Sequence, residues 1–180
     1  MRAKLLAPMT LGLVCVSISV QTTAAQGKGA CDLPQALEHE ITARYPGSRI
    51  VNVSDLSEYN RALFRKDHDN SCPGLVKVDF YGDGRPTLAL VLTKTAGAKE
   101  EAELVLAHEL RGQWKTTVVD KAEGAPVPVV WSQPPALYRD VDGKKEIRAT
   151  RQVVVFAGYE SWAIVYAWTG KGVSKVWIAD

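Results

Sequence analysis

The sequence predicts an α+β fold in which two N-terminal helices pack on a curled antiparallel β-meander. Three observations carry this expectation. Two early segments repeat apolar residues at helical spacing. From Leu75 onward the chain is a succession of short runs rich in Val, Thr and aromatic residues. The links between those runs are too short to cross a sheet, so neighbouring strands run antiparallel.

The first helix is framed by Asp32 and Gln35, which have capping-box spacing, with Pro34 suited to the first turn. Leu33, Leu37, Ile41 and Tyr45 make its apolar stripe, and Pro46-Gly47 stops it. Ile50–Val53 reads as a short strand. Asp55 and Glu58 repeat the capping spacing, and Leu56, Tyr59 and Leu63 give a second amphipathic helix that ends in the polar run Lys66–Asn70.

Strand candidates then follow at Leu75–Phe80, Thr87–Thr93, Glu103–His108, Gln113–Val119, Val127–Trp131, Ala136–Val141, Glu146–Ala149, Gln152–Ala157, Ser161–Trp168 and Val173–Ile178. Gly82-Asp83-Gly84, Asp142-Gly143, Gly158 and Thr169–Gly172 supply the turns. Gly97–Glu101 reads as a loop tip, and Ala122–Pro128 and Pro134-Pro135 as surface connections. Leu88, Leu90 and Leu92 alternate with Ala89 and Val91, so this strand is apolar on both faces and must be covered on both. The helices serve for one side. The other needs a curled sheet, a second sheet or a partner.

Residues 1–25 read as a secretory signal peptide, and 26–180 as one domain. Arg2 and Lys4 form a positive start, Leu5–Val20 is uncharged and apolar, and Thr23-Ala24-Ala25 suits cleavage after Ala25, or after Ala24. Leu5–Val20 is shorter than the ~20 residues that span a bilayer.

The whole chain has 180 residues, 46% hydrophobic and 23% charged, the balance of an ordinary globular protein. Its formal charge of +2 comes from Arg2 and Lys4, so the mature chain is neutral. No basic patch marks a nucleic-acid binder, and no second apolar run remains to span a membrane. The expected location is periplasmic or secreted. Cys15 leaves with the leader. Cys31 and Cys72 remain, and two cysteines in an exported domain pair as a disulfide. Neither has a CxxC partner that would mark a reactive thiol.

The most specific local feature is Asp79-Phe-Tyr-Gly-Asp83-Gly-Arg-Pro-Thr87, followed by Leu-Ala-Leu-Val. It resembles the DFNGDGKPDLAV segment of FG-GAP/VCBS-type repeats, whose loops bind calcium. The resemblance covers about a dozen residues in one copy. It implies Asp79 and Asp83 as metal ligands, while Tyr81 and Thr87 stand where the family places others. The residues themselves equally describe a strand–tight turn–strand element with Gly82 and Gly84 at positive φ. The chain as a whole resembles small exported bacterial proteins of uncharacterised function that combine such a turn with a Trp/Tyr-rich C-terminal strand pair.

No catalytic residue is assigned. His39 lies opposite the stripe of the first helix, His68 sits in the polar run, and His108 shares a strand face with Leu104, Leu106 and Leu110. His108-Glu109 lacks the second histidine of HExxH, and no GxSxG, Walker or GxGxxG pattern occurs. The pairs Glu100-Glu101, Asp67/Asp69 and Asp140/Asp142 read as solvated loops. Trp162, Tyr166 and Trp168 share one strand face. If open, that face is a stacking platform for a glycan or a protein; if closed, it is core.

The expected function is therefore an exported, non-enzymatic binding module, inhibitor- or immunity-like, with a protein or glycan partner in the cell envelope and no cofactor. Two alternatives stay open. One is a small envelope hydrolase built on His108, Glu109 and Asp79 or Asp83, which needs His108 within reach of a carboxylate in a concave site. The other is a calcium-binding adhesion or structural domain.

Overall fold

The structure is a computed structural model that describes residues 29–96, 99–124 and 126–179. The leader expected over residues 1–25 lies outside the described residues. In chain order the elements are α1 (Gln35–Arg44), β1 (Arg49–Ile50), α2 (Glu58–His68), β2 (Leu75–Val78), β3 (Thr87–Ala96), β4 (Lys99–Leu110), β5 (Gln113–Glu123), β6 (Val129–Gln133), β7 (Leu137–Arg139), β8 (Glu146–Arg148), β9 (Val153–Gly158), β10 (Trp162–Trp168) and β11 (Val173–Ala179).

These elements correct the expected fold. They are not a helix pair on one meander. The strands divide into two antiparallel sheets packed face to face, with a separate hairpin. The first sheet has the order β1-β3-β4-β5, with β2 also on β3. The second has the order β11-β10-β9-β6, and β7 pairs only β8.

The reason lies in the doubly apolar strands. Ala89 and Val91 of β3 face inward, against a core that includes Leu104, Leu106, Phe156, Ile164 and Tyr166 from both sheets. Leu88, Leu90 and Leu92 face outward, where α1 lays Leu37 and Ile41 on them. So the second cover is a second sheet. The helices are split between two tasks: α1 covers the first sheet from outside, and α2 sends Phe64 into the inter-sheet core. On the far side, Ile147 and Ala149 cover Val153, Val155, Val165 and Ala167 of the second sheet.

Helix starts differ from the expected boxes. Pro34 occupies the N-cap of α1 without a side-chain cap, and Asp32 instead accepts the Gly29 amide at 2.7 Å. The second box sits one step earlier: Asn52 and Asp55 cap a single 3-10 turn over Val53–Asp55, and Ser57 caps α2 by accepting the Asn60 amide at 3.2 Å. That turn also ends the expected strand Ile50–Val53 at Ile50. The loop tip expected over Gly97–Glu101 is shorter, because Lys99, Glu100 and Glu101 already belong to β4. Lys94 pairs across the ladder with Glu101 at 3.6 Å. Residues 97 and 98 lie outside the described residues.

Cys31 and Cys72 are bonded, with their Cα atoms 5.0 Å apart. The bridge closes the segment that holds α1, β1 and α2. Just past it, the Pro73 carbonyl accepts the Val130 amide at 2.8 Å and joins the two sheets along one side. On the other side β5 and β11 are edge strands, and Asp120 reaches Tyr166 and Lys175 between them. Among the described residues, no helix is long and apolar enough to cross a membrane.

Candidate ligand site

One end of the sandwich gathers several residues singled out in the sequence. The turn between β2 and β3 bends at Gly82 (φ +66°) and Gly84 (φ +76°), a region that costs glycine little. Asp83 Oδ1 accepts the Arg85 amide at 3.0 Å, and Oδ2 lies 3.1 Å from His108 Nε2. His108 Nδ1 lies 3.2 Å from Thr87 Oγ1. The register of the β3–β4 ladder places Thr87 opposite His108, which is why the two side chains meet.

This chain of contacts has the composition of a hydroxyl–imidazole–carboxylate relay, but its hydroxyl and imidazole are closed off, and only the Asp83 carboxylate is exposed. Thr87 is fully buried and His108 is 7% exposed. The Tyr81 ring covers the imidazole at 4.7 Å. No substrate carbonyl can approach a fully buried hydroxyl, so the contacts clasp the turn to β4. The Arg85 amide, and to a smaller extent the neighbouring His108 imidazole, hold the Asp83 carboxyl below the usual carboxylate range. Burial, and then Asp83, push the Tyr81 phenol up.

The turn is tied to the start of β9 as well. The Asp79 amide donates to Gln152 Oε1 at 3.1 Å, and Arg151 donates to the Tyr81 carbonyl. Asp79 Oδ1 is buried without a partner. Asp79 and Asp83, the implied metal ligands, therefore differ: Asp83 commits both oxygens within the protein, whereas Asp79 leaves one free. Among the described residues, no three His, Cys, Asp or Glu side chains are grouped to hold a metal ion.

The aromatic face splits into three environments. Tyr166 is 1% exposed and hydrogen-bonds Asp120, so it is core. Trp162 is half-buried against Phe156 at 5.0 Å and Trp177 at 6.3 Å. Trp168 meets Tyr81 edge-on at 5.1 Å and lines an open cavity of about 370 Å³. Arg148, Thr150, Arg151, Thr169 and Ser174 complete most of that lining. The three residues are not one continuous platform; only Trp168 borders this cavity.

Two other hollows compare poorly. One, of about 540 Å³, lies beside α1 and the disulfide and has no aromatic wall. Another, of about 340 Å³, lies between α2 and β6. There His68 packs on Phe64 and Trp131, at 4.8 and 5.1 Å, so the rings largely satisfy one another. Burial lowers the His68 pKa, against a smaller upward push from Asp67. His68 is thus half-buried rather than lost in a polar run, while His39 faces solvent.

Sequence reasoning missed Arg148, Thr150, Arg151 and Ser174. The bend after β8 carries no motif, and only the turn Thr169–Gly172 was recognisable. No protein-family model matches this chain, and no curated protein or solved structure is significantly similar to it.

Proposed function

We propose that this protein is an exported binding module without chemistry of its own, and that it takes its ligand in the Trp168 cavity. The observation that carries the reading is a contrast at one end of the sandwich. The imidazole and the Thr87 hydroxyl it meets are buried, with only the Asp83 carboxylate reaching the surface, whereas the tryptophan beside them borders open space. A cavity near 370 Å³ is within the ~300–1,000 Å³ of small-ligand sites. An indole wall with hydroxyls around it suits the apolar face and hydroxyl rim of a sugar ring. The cell envelope, entered through the leader and consistent with the Cys31–Cys72 bridge, offers glycans as ligands.

The hydrolase alternative gains the pairing of His108 with Asp83, but the imidazole of that pair is buried under the Tyr81 ring. Titration of the mature protein with soluble peptidoglycan fragments, followed by tryptophan emission, tests the reading. The expected result is a saturable change that Trp168→Ala abolishes. Release of cleavage products, or an unchanged emission in the wild type, would count against it.

A further inference from the structure

The Trp168 cavity carries an uncompensated positive charge. Arg148 makes no hydrogen bond or ion pair among the described residues, although it lines the cavity. Arg151, on the same wall, is held by the Tyr81 carbonyl, which neutralises no charge. The acid in the lining is Glu146, and it is engaged by Arg139 at 3.5 Å. The site therefore presents two guanidinium groups beside an indole, and its one carboxylate already has a partner.

We infer that the cavity selects a sugar bearing a carboxylate, with Arg148 as the group that reads the charge. This inference rests on the binding-module reading above. A guanidinium offers two parallel N–H donors that match the two oxygens of a carboxylate. Because the Arg148 side chain has no ion-pair partner among the described residues, no internal pair must break on binding. Arg151 adds field without needing to move, because the turn pins it. Thr150 and Ser174 supply short hydroxyls at the rim for ring hydroxyls. An extended peptide is the weaker fit. Trp168 pairs with Val173 of β11 and lies past the end of the β9–β10 ladder, and what favours a sugar is its indole with side-chain hydroxyls around it.

The test uses the mature protein and a matched pair of probes: trigalacturonate and its fully methyl-esterified, uncharged counterpart. Binding is read by calorimetry and by tryptophan emission, at low and high salt. The acid is expected to bind at least about tenfold more tightly than the ester, with the gap narrowing as salt screens it. Arg148→Gln should bring the acid down to the level of the ester without moving the thermal midpoint, and Arg148→Lys should restore part of the gap. Equal binding of acid and ester, or a gap that survives Arg148→Gln, overturns the inference and leaves the binding module standing. An acidic peptide that displaces the acid at equal concentration overturns the assignment to sugars. If neither trigalacturonate, its ester nor peptidoglycan fragments bind, the inference and the reading beneath it fall together.

Discussion

The Tyr166 phenol of β10 donates to the Asp120 carboxylate on the edge strand β5, and Lys175 of the other edge strand, β11, donates to the same oxygen. Asp120 sits on β5, just past the irregularity that shifts the β4–β5 register at Leu104/Val105. The three groups hold together the side that lacks the backbone bond made by Pro73 and Val130. Removing the two partners should cost differently. Tyr166→Phe leaves Asp120 with Lys175 and should cost about 1 kcal/mol. Asp120→Ala strands a buried phenol and should cost roughly 1–3 kcal/mol. Urea unfolding midpoints of the two variants check the order; a Tyr166→Phe loss larger than that of Asp120→Ala would show that the phenol anchors something else.

The same carboxylate makes stability depend on acid. Burial pushes the Asp120 pKa up, but the hydrogen bonds from Lys175 and Tyr166 prevail and hold it below its ordinary value. A folded-state pKa below the unfolded one means the proton binds the unfolded chain first. The contribution is therefore complete above the ordinary carboxylate value, near 4, and fades as pH falls through the lowered folded value. Asp120→Asn should be less stable than wild type at neutral pH, with the difference shrinking below about pH 4. Urea midpoints measured from pH 6 to pH 2.5 test this; a constant difference across that range would remove Asp120 from the acid response.

The disulfide links residues 41 apart in sequence. In the chain-entropy account, a loop of that size lowers unfolded-state entropy by about 4 kcal/mol. Inside the loop lie α1, which shields Leu88, Leu90 and Leu92, and α2, which places Phe64 in the core. The Cys31→Ser/Cys72→Ser double variant should unfold at clearly lower denaturant, and wild type with a thiol reductant should match it. Equal midpoints with and without reductant would show that packing alone fixes both helices.

Much of the strand content was legible, and the arrangement of layers was not. The alternation Leu88–Ala89–Leu90–Val91–Leu92 states that both faces of β3 are covered. It does not state what covers them, because a helix and a second sheet place the same demand on the sequence. Capping spacing is degenerate for a similar reason. Asp55 and Glu58 have it, yet Asn52, Asp55 and Ser57 are the side chains whose backbone setting lets them cap. The His108–Asp83 contact joins residues 25 apart. It depends on the register that sets Thr87 opposite His108, which no local pattern encodes. Arg148 and Arg151 become site residues only because the bend after β8 meets Trp168 in space.

Gly82 and Gly84 separate two kinds of glycine requirement. Both have positive φ, so alanine at either costs about 1–2 kcal/mol in backbone strain. A Cβ at Gly84 would meet open space, whereas one at Gly82 would run into the Arg151 guanidinium. Gly82→Ala should therefore be the more destabilising and should also weaken binding of acidic ligand in the Trp168 cavity, since Arg151 must move. Gly84→Ala should leave that binding intact. Thermal midpoints and calorimetry on both variants decide the point; identical losses would mean that backbone strain accounts for everything.

His108 distinguishes a clasp from a catalyst. Its two ring nitrogens lie against Asp83 and the buried hydroxyl of Thr87, so His108→Ala leaves that hydroxyl without a partner and should cost roughly 1–3 kcal/mol of stability. Ligand binding at Trp168 should survive, because the Tyr81 ring stands between the imidazole and the indole. Asp83 adds a pH signature of known sign. Its carboxyl is held below the usual range, so its support is present above the ordinary carboxylate value and is lost as pH falls through the lowered one. Asp83→Asn should flatten the acid limb of stability while leaving the neutral-pH fold in place. A catalytic histidine would behave the other way round: His108→Ala would keep its unfolding midpoint and lose turnover of a cell-wall substrate. Circular dichroism melts of His108→Ala, run beside a peptidoglycan-release assay, separate the two roles in one pair of measurements.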